Sequence, residues 1–179
     1  MLFRSRLLAS GQRTNPWMQE CSNKIIQDGE IVSFDTDMVG PYGYCADISR
    51  AFVVGNKFND EQKRLYAMAV EQIDHNSRLI KHGMSFNEFS EKSWVLPEEY
   101  YPNRYSVMVH GIGLCDEWPA IRYPTDGGER NGVFQKNMTI TVESYIGKVG
   151  GKEGVKLEQQ YLIGENGLEL MSHHPLENI

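Results

Sequence analysis

Apolar positions along the chain change their spacing near residue 59. Before it, Ile31 to Asp37 is β-branched at its start and alternates in part, which predicts a strand. The turn-rich Gly40-Pro41-Tyr42-Gly43 follows, and Tyr44 to Val54 predicts the returning strand of a hairpin with a long connection. From Asn59 the step becomes helical. Leu65, Met68, Ala69, Gln72, Ile73 and Leu79 recur at near-helical intervals, Asn59 and Asp60 offer caps, and Gly83 offers an end. Ser85-Phe86-Asn87-Glu88 has the form of a capping box and opens a shorter helix to about Trp94. A loop rich in Pro and Tyr (Pro97, Tyr100, Tyr101, Pro102) leads to a strand ending at His110. Asn137 to Ile146 and Val155 to Ile163 predict a closing pair of strands around the glycine-rich stretch from Gly147 to Gly154. Strands, then helices, then strands define an α+β class, with no internal repeat.

The 179 residues suffice for one domain with its own hydrophobic core. Eighteen Lys and Arg against 24 Asp and Glu give a formal net charge of -6. No basic cluster suggests a nucleic acid or a lipid surface as partner. No apolar run approaches the roughly 20 residues a membrane span needs, and Met1 to Ser10 lacks the long apolar core of a signal peptide. Cys21, Cys45 and Cys115 are odd in number and at no metal-ligand spacing, so they read as reduced thiols. The expectation is a cytoplasmic protein.

The acidity has a local pattern. Asp35 and Asp37 lie two apart on a predicted strand and so share a face. Asp47 is expected across the hairpin, at the about 4.5–5.5 Å of cross-strand neighbours. Three like charges so close repel strongly, and at least one stays protonated unless cations intervene. Glu143, in Thr139-Ile140-Thr141-Val142-Glu143, and Glu158, in Val155-Lys156-Leu157-Glu158, sit in strand-like apolar surroundings where an unpaired charge is costly. His110 is the histidine in an apolar strand context, Val107-Met108-Val109-His110. Taken singly, an Asp-x-Asp is more often a solvated edge, a strand histidine a satisfied core residue, and a strand glutamate a solvent-face residue. The conjunction overturns these readings, because all six residues also fall into a known pattern.

Phe34-Asp35-Thr36-Asp37 through Gly43-Tyr44-Cys45-Ala46-Asp47-Ile48-Ser49-Arg50 resembles the signature of the pita-bread metalloenzymes, which include methionine aminopeptidases, Xaa-Pro aminopeptidases and prolidases. The resemblance runs over nearly the whole chain from about Ser10. It implies an α+β pita-bread fold, with 1–179 a partial catalytic domain, N-terminally truncated because the first helices and any N-terminal domain are absent. It implies the ligands Asp35, Asp47, His110, Glu143 and Glu158, in that order, around two divalent ions of iron, manganese, zinc or cobalt. With Asp37 counted beside them, five oxygen-type ligands and one imidazole suit these metals. A homodimer is implied for the full-length protein.

The departures narrow the resemblance. His110-Gly111-Ile112-Gly113-Leu114-Cys115-Asp116-Glu117-Trp118-Pro119 places Asp116 where the peptidases carry a catalytic histidine. An upstream peptidase histidine is replaced by Asn15-Pro16-Trp17, and Asp37 is an added acid beside the first ligand. These features, with Arg13-Thr14-Asn15-Pro16-Trp17, are similar to the dimethylsulfoniopropionate lyases of the DddP type. That branch implies Asp37 as a sixth ligand, Asp116 as the catalytic base and Tyr105 as a further active-site residue. The implied substrate is a small zwitterion, a carboxylate joined by two methylenes to a dimethylsulfonium. Aromatic faces attract such cations by about 0.5–2 kcal/mol each, and Trp17, Trp118, Tyr42 and Tyr105 are the candidates. Two rivals stand beside the lyase. One is an Xaa-Pro dipeptidase or aminopeptidase, against which Asp116 speaks; the other is a non-catalytic binding protein, against which the complete ligand set speaks.

Overall fold

The structure is a computed structural model and describes residues 2–3, 7–17, 19–55, 57–129 and 131–177. Strands β1 (Leu2–Phe3), β2 (Leu8–Ser10), β3 (Ile31–Asp35), β4 (Met38–Val39), β5 (Cys45–Ala46) and β6 (Ser49–Val53) precede two helices, α1 (Asp60–Leu79) and α2 (Phe86–Lys92). Strands β7 (Val107–Gly111), β8 (Ala120–Arg122), β9 (Thr139–Ile146), β10 (Val155–Ile163) and β11 (Leu168–Leu170) follow. They form three sheets, ordered β1-β4-β5, β2-β3-β6 and β11-β10-β9-β7-β8. The α+β class expected from the order of patterns is what forms.

Each of the two strands predicted before residue 59 is split, because each serves two sheets. β3 pairs with β6, and β4 pairs with β5. The changeovers fall at Thr36-Asp37 and at Asp47-Ile48. Thr36 Oγ1 donates to the Ile48 carbonyl at 3.1 Å and ties the two breaks together. Asp35 pairs across the sheet with Ser49, so Asp47 lies beyond the ladder rather than opposite Asp35. The aspartates therefore share a buried corner and not one strand face.

Helix α1 begins where expected. Asn59 Oδ1 accepts from the Gln62 amide and Gln62 Oε1 accepts from the Asn59 amide, both at 2.9 Å, a reciprocal cap. It ends at Leu79 rather than at Gly83, because buried Ile80 leaves helical space at φ -71, ψ 125 and turns the chain inward. The box opening α2 closes on one side only. Ser85 Oγ accepts from the Glu88 amide at 3.1 Å, while the Glu88 side chain turns forward to Lys92 Nζ at 2.7 Å.

The core lies between α1 and the long antiparallel pair β9–β10. Leu65, Tyr66, Ala69 and Ile73 of α1 are buried against it, together with Ile146, Val155 and Leu157. Buried Gln72 sits among them because it is satisfied, accepting from Ser144 Oγ and donating to Tyr123 OH, both at 2.6 Å. Side chains alternate across a strand, so the residues between these point away from the helix. On β9 and β10 those are Thr141, Glu143, Tyr145, Lys156, Glu158 and Gln160; Lys156 and Glu158 reach Ser49 of β6, Gln160 accepts from the Asp47 amide, and Tyr145 turns to Thr14 and Trp17. No helix among the described residues is long and apolar enough to cross a membrane.

Candidate metal centre

The register of the central sheet builds the site. Glu143 is the direct cross-strand partner of Glu158, and Tyr145 that of Lys156. His110 pairs with Thr141, one step along the same face. Asp35 arrives from the end of β3, Asp37 and Asp47 from the two changeovers. All six are buried, none more than 8% exposed.

Two groups of ligand-type atoms lie within 4.8 Å of one another, Asp35 with Asp37 and Asp47, and Asp47 with His110 and Glu158. Asp47 belongs to both. His110 Nε2 is 3.2 Å from Glu158 Oε1 and 3.7 Å from both Asp47 Oδ2 and Glu143 Oε1. Its other nitrogen, Nδ1, lies 3.0 Å from the Gly111 carbonyl and donates to it, leaving Nε2 to face the acids. Ser49 Oγ donates to Asp35 and stands 3.1 Å from Glu158 Oε2, linking the two sheets through the cluster.

Sequence reasoning missed Lys156. It is 2% exposed, and its Nζ lies 2.7 Å from Glu143 Oε2, 3.5 Å from Glu158 Oε2 and 3.2 Å from Ser49 Oγ. The rings of Tyr105 and Trp17 stand over the same ammonium, with centroids at 5.2 and 5.7 Å. The signal was available: Lys156 precedes Glu158 by two in a strand, so the two share a face.

The crowding of charge shows in the protonation of each group. Burial, together with the neighbouring carboxylates, pushes Asp35, Asp47 and Glu143 above the usual carboxylate range. Burial also acts to raise Glu158, but Lys156 and His110 outweigh it and hold this carboxyl well below that range. Desolvation alone would pull His110 down. The hydrogen bond to Glu158 and the charges of Glu143 and Glu158 win, raising it to about 10. The Glu143 charge and burial raise the Tyr105 phenol, which stays protonated.

Two oxygens at the centre, Asp47 Oδ1 and Glu143 Oε1, are buried and have no hydrogen-bond partner among the described residues. A buried carboxylate oxygen left unpaired is costly. A divalent cation among five carboxylates and one imidazole nitrogen would satisfy both, so the residues fit such an ion.

The other expected site residues fall in two places. Trp17 is buried and packs on Tyr145 with ring centroids 6.3 Å apart, while Tyr105 is half-buried beside it. A cavity of about 230 Å³ opens on this pair, lined also by Pro16, Pro102, Asn103 and Arg104. Tyr42 and Trp118 are 96% and 60% exposed and stand in water. Asp116 is half-buried in the loop between β7 and β8. That loop is drawn back onto β7 by the Gly111 amide, which donates to the Pro119 carbonyl at 2.9 Å. It also borders an apolar cavity of about 360 Å³ lined by Ile112, Leu114, Trp118 and Phe134.

Comparison with known proteins matches residues 3–165 to the family described as Metallopeptidase family M24. A dimethylsulfoniopropionate lyase DddP from Roseovarius nubinhibens is 45% identical over 177 residues, 97% of this chain and 40% of that protein. A second protein of that name, from Roseobacter denitrificans, is 42% identical over 97% of this chain and 39% of its own length. Among solved structures, an Xaa-Pro dipeptidase from Bacillus anthracis superposes with a TM-score of 0.79 at 27% identity, over 96% of this chain and 47% of that one. The chain thus spans about two fifths of the length of the curated relatives it matches.

Proposed function

The chain belongs to metallopeptidase family M24, with the pita-bread fold of that family, and we propose that it is a metal-dependent lyase cleaving the C–S bond of dimethylsulfoniopropionate to dimethyl sulfide and acrylate. The observation that carries this reading is the similarity to two proteins named as such lyases, at 45% and 42% identity along 97% of the chain. In this reading Asp35, Asp37, Asp47, His110, Glu143 and Glu158 hold two divalent ions. Bound there, the ions would supply Lewis acidity to the substrate carboxylate and so to the charge that develops beside it.

The remaining chemistry belongs to the side chains. Asp116 takes the proton from the carbon next to the carboxylate, that C–H pair becomes the new C=C bond, and the C–S pair departs with sulfur. Dimethyl sulfide leaves neutral, so no acid is needed on that side. Tyr105, protonated, stands beside Trp17 and over Lys156 at the edge of the cluster, and burial of the cluster excludes water. Trp17 and Tyr105 take the sulfonium on their cavity side; Trp118 and Tyr42, exposed and off that cavity, have no part in this pocket. The substrate partner is a small zwitterion, and the protein works as a homodimer in the cytoplasm.

A second reading has its own support. The superposition on an Xaa-Pro dipeptidase favours hydrolysis of a proline peptide at the same ions. One experiment separates them. Protein loaded with iron, manganese or zinc is given dimethylsulfoniopropionate or, in parallel, a Gly-Pro dipeptide, beside an Asp116→Ala control. Metal-dependent dimethyl sulfide release that falls by about 10²–10⁴ in the control, with metal content unchanged, supports the lyase. Proline release without sulfide would transfer the chain to the peptidases.

A further inference from the structure

We propose that Lys156 is a resident cation of the metal centre, which aims Glu143 and Glu158 and fixes at four the positive charges the centre takes up. This rests on the two-metal reading above and deepens it.

Each glutamate divides its oxygens. The Oε2 atoms of Glu143 and Glu158 lie 2.7 and 3.5 Å from Lys156 Nζ, while their Oε1 atoms face His110 Nε2 at 3.7 and 3.2 Å. Glu143 Oε1 is the orphaned atom of the pair. Like charges directly opposite on adjacent strands repel, and without the ammonium between them the two carboxylates would turn apart. Ser49 Oγ, at 3.2 Å, takes the third ammonium proton. Behind the nitrogen the faces of Tyr105 and Trp17 close the exit, so the charge has no path to water. Three donors spent on the site and an aromatic wall behind them make Lys156 part of the centre, not a passing neighbour.

The charge follows. Asp35, Asp37, Asp47, Glu143 and Glu158 carry five negative charges when ionised, Lys156 carries one positive, and the remainder of four is what two divalent ions cancel. With Lys156 absent the carboxylates would call for a fifth. The ammonium therefore restrains metal affinity while it keeps the metal-free site from flying apart.

The test is Mn²⁺ binding by titration calorimetry with Lys156→Met and Lys156→Arg, beside melting temperatures of the metal-free proteins. Methionine keeps the aliphatic stem against the rings and removes the charge. The wild type is expected to bind two Mn²⁺ per chain. The Met variant should bind the weaker ion at least about tenfold more tightly and melt lower when metal-free. The Arg variant should restore both values. Adding Glu143→Gln to Lys156→Met removes the pair as a unit and should recover the metal-free melting temperature. Two ions in the wild type with equal or weaker binding in the Met variant, or no recovery in the double variant, overturns the proposal and leaves the two-metal reading standing. A wild type that takes up no Mn²⁺ overturns both.

Discussion

A buried carboxylate is tolerable only when something answers its charge, and at this centre the answers are specific atoms. Ser49 is the smallest of them. Its hydroxyl donates to Asp35, accepts from Lys156 and touches Glu158, so one oxygen sets the orientation of two ligand-type carboxylates on two sheets. Groups that orient ligands from behind commonly account for 10–100-fold in metal affinity, in round terms about two orders of magnitude at most. Ser49→Ala is therefore expected to weaken Mn²⁺ binding by about 10–100-fold, read by calorimetry, with little change in secondary structure by circular dichroism. Unchanged affinity would show that Asp35 and Glu158 hold their places without it. The six acidic and imidazole residues stood out through the resemblance to the pita-bread metalloenzymes, since singly an Asp-x-Asp, a strand histidine or a strand glutamate reads as ordinary; the structure brings all six into one buried cluster. Ser49 was not legible in the sequence, because a serine in a strand reads as ordinary too and its role depends on a register that sequence does not print. Lys156 lies between these cases. Its alternation with Glu158 was visible, but a lysine in a strand is ordinarily read as a solvent-facing residue.

At the scale of elements, the closing pair β9–β10 was legible almost to the residue, because alternation over eight and nine positions is a strong pattern. The hairpin ahead of the helices was legible only as two long strands. Its breaks at Asp37 and Asp47 arise from each segment changing sheets, a tertiary event with no local marker. The β7–β8 turn went unread as well, although it carries Asp116. Its geometry is set by close approach at Gly111, where an added Cβ would fall against the Trp118 carbonyl oxygen and the Pro119 ring. Backbone cannot yield there as a flexible side chain can. If the proposed lyase reaction runs here, Gly111→Ala is expected to push the loop bearing Asp116 off β7 and to cut dimethyl sulfide release by about tenfold or more, since a displacement of the order of 1 Å can cost about 10²-fold. Mn²⁺ binding should persist, because His110 Nε2 reaches the acids from the strand itself. Loss of metal along with activity would mean instead that the strand, not the loop, had moved.

Across the whole molecule the centre is where the sheets meet. Asp35 and Asp47 come from the β3–β6 side and Glu143, Glu158 and His110 from the other, so protons or ions held there are part of folding free energy. Asp35, Asp47 and Glu143 hold protons more tightly folded than unfolded. Their contribution is complete below about pH 4, the unfolded carboxylate range, and is lost as pH climbs through their raised folded values. His110, pushed up to about 10, contributes fully below about pH 6.5 in the same way and loses that contribution toward 10. Glu158 runs opposite, its contribution present above about pH 4 and lost only in stronger acid. The metal-free chain is thus expected to weaken steadily from about pH 5 to about pH 9. A divalent ion competes with those same protons, so its stabilisation should grow over that interval. Melting temperatures in excess chelator and in saturating Mn²⁺, taken at about pH 6 and about pH 8.5, read the effect directly. The gap should widen at the higher pH, by the several degrees that a few kcal/mol makes in a domain of about this size. A gap that stays constant or narrows would mean the carboxylates are already ionised in the folded metal-free chain, with Lys156 and His110 alone carrying their charge.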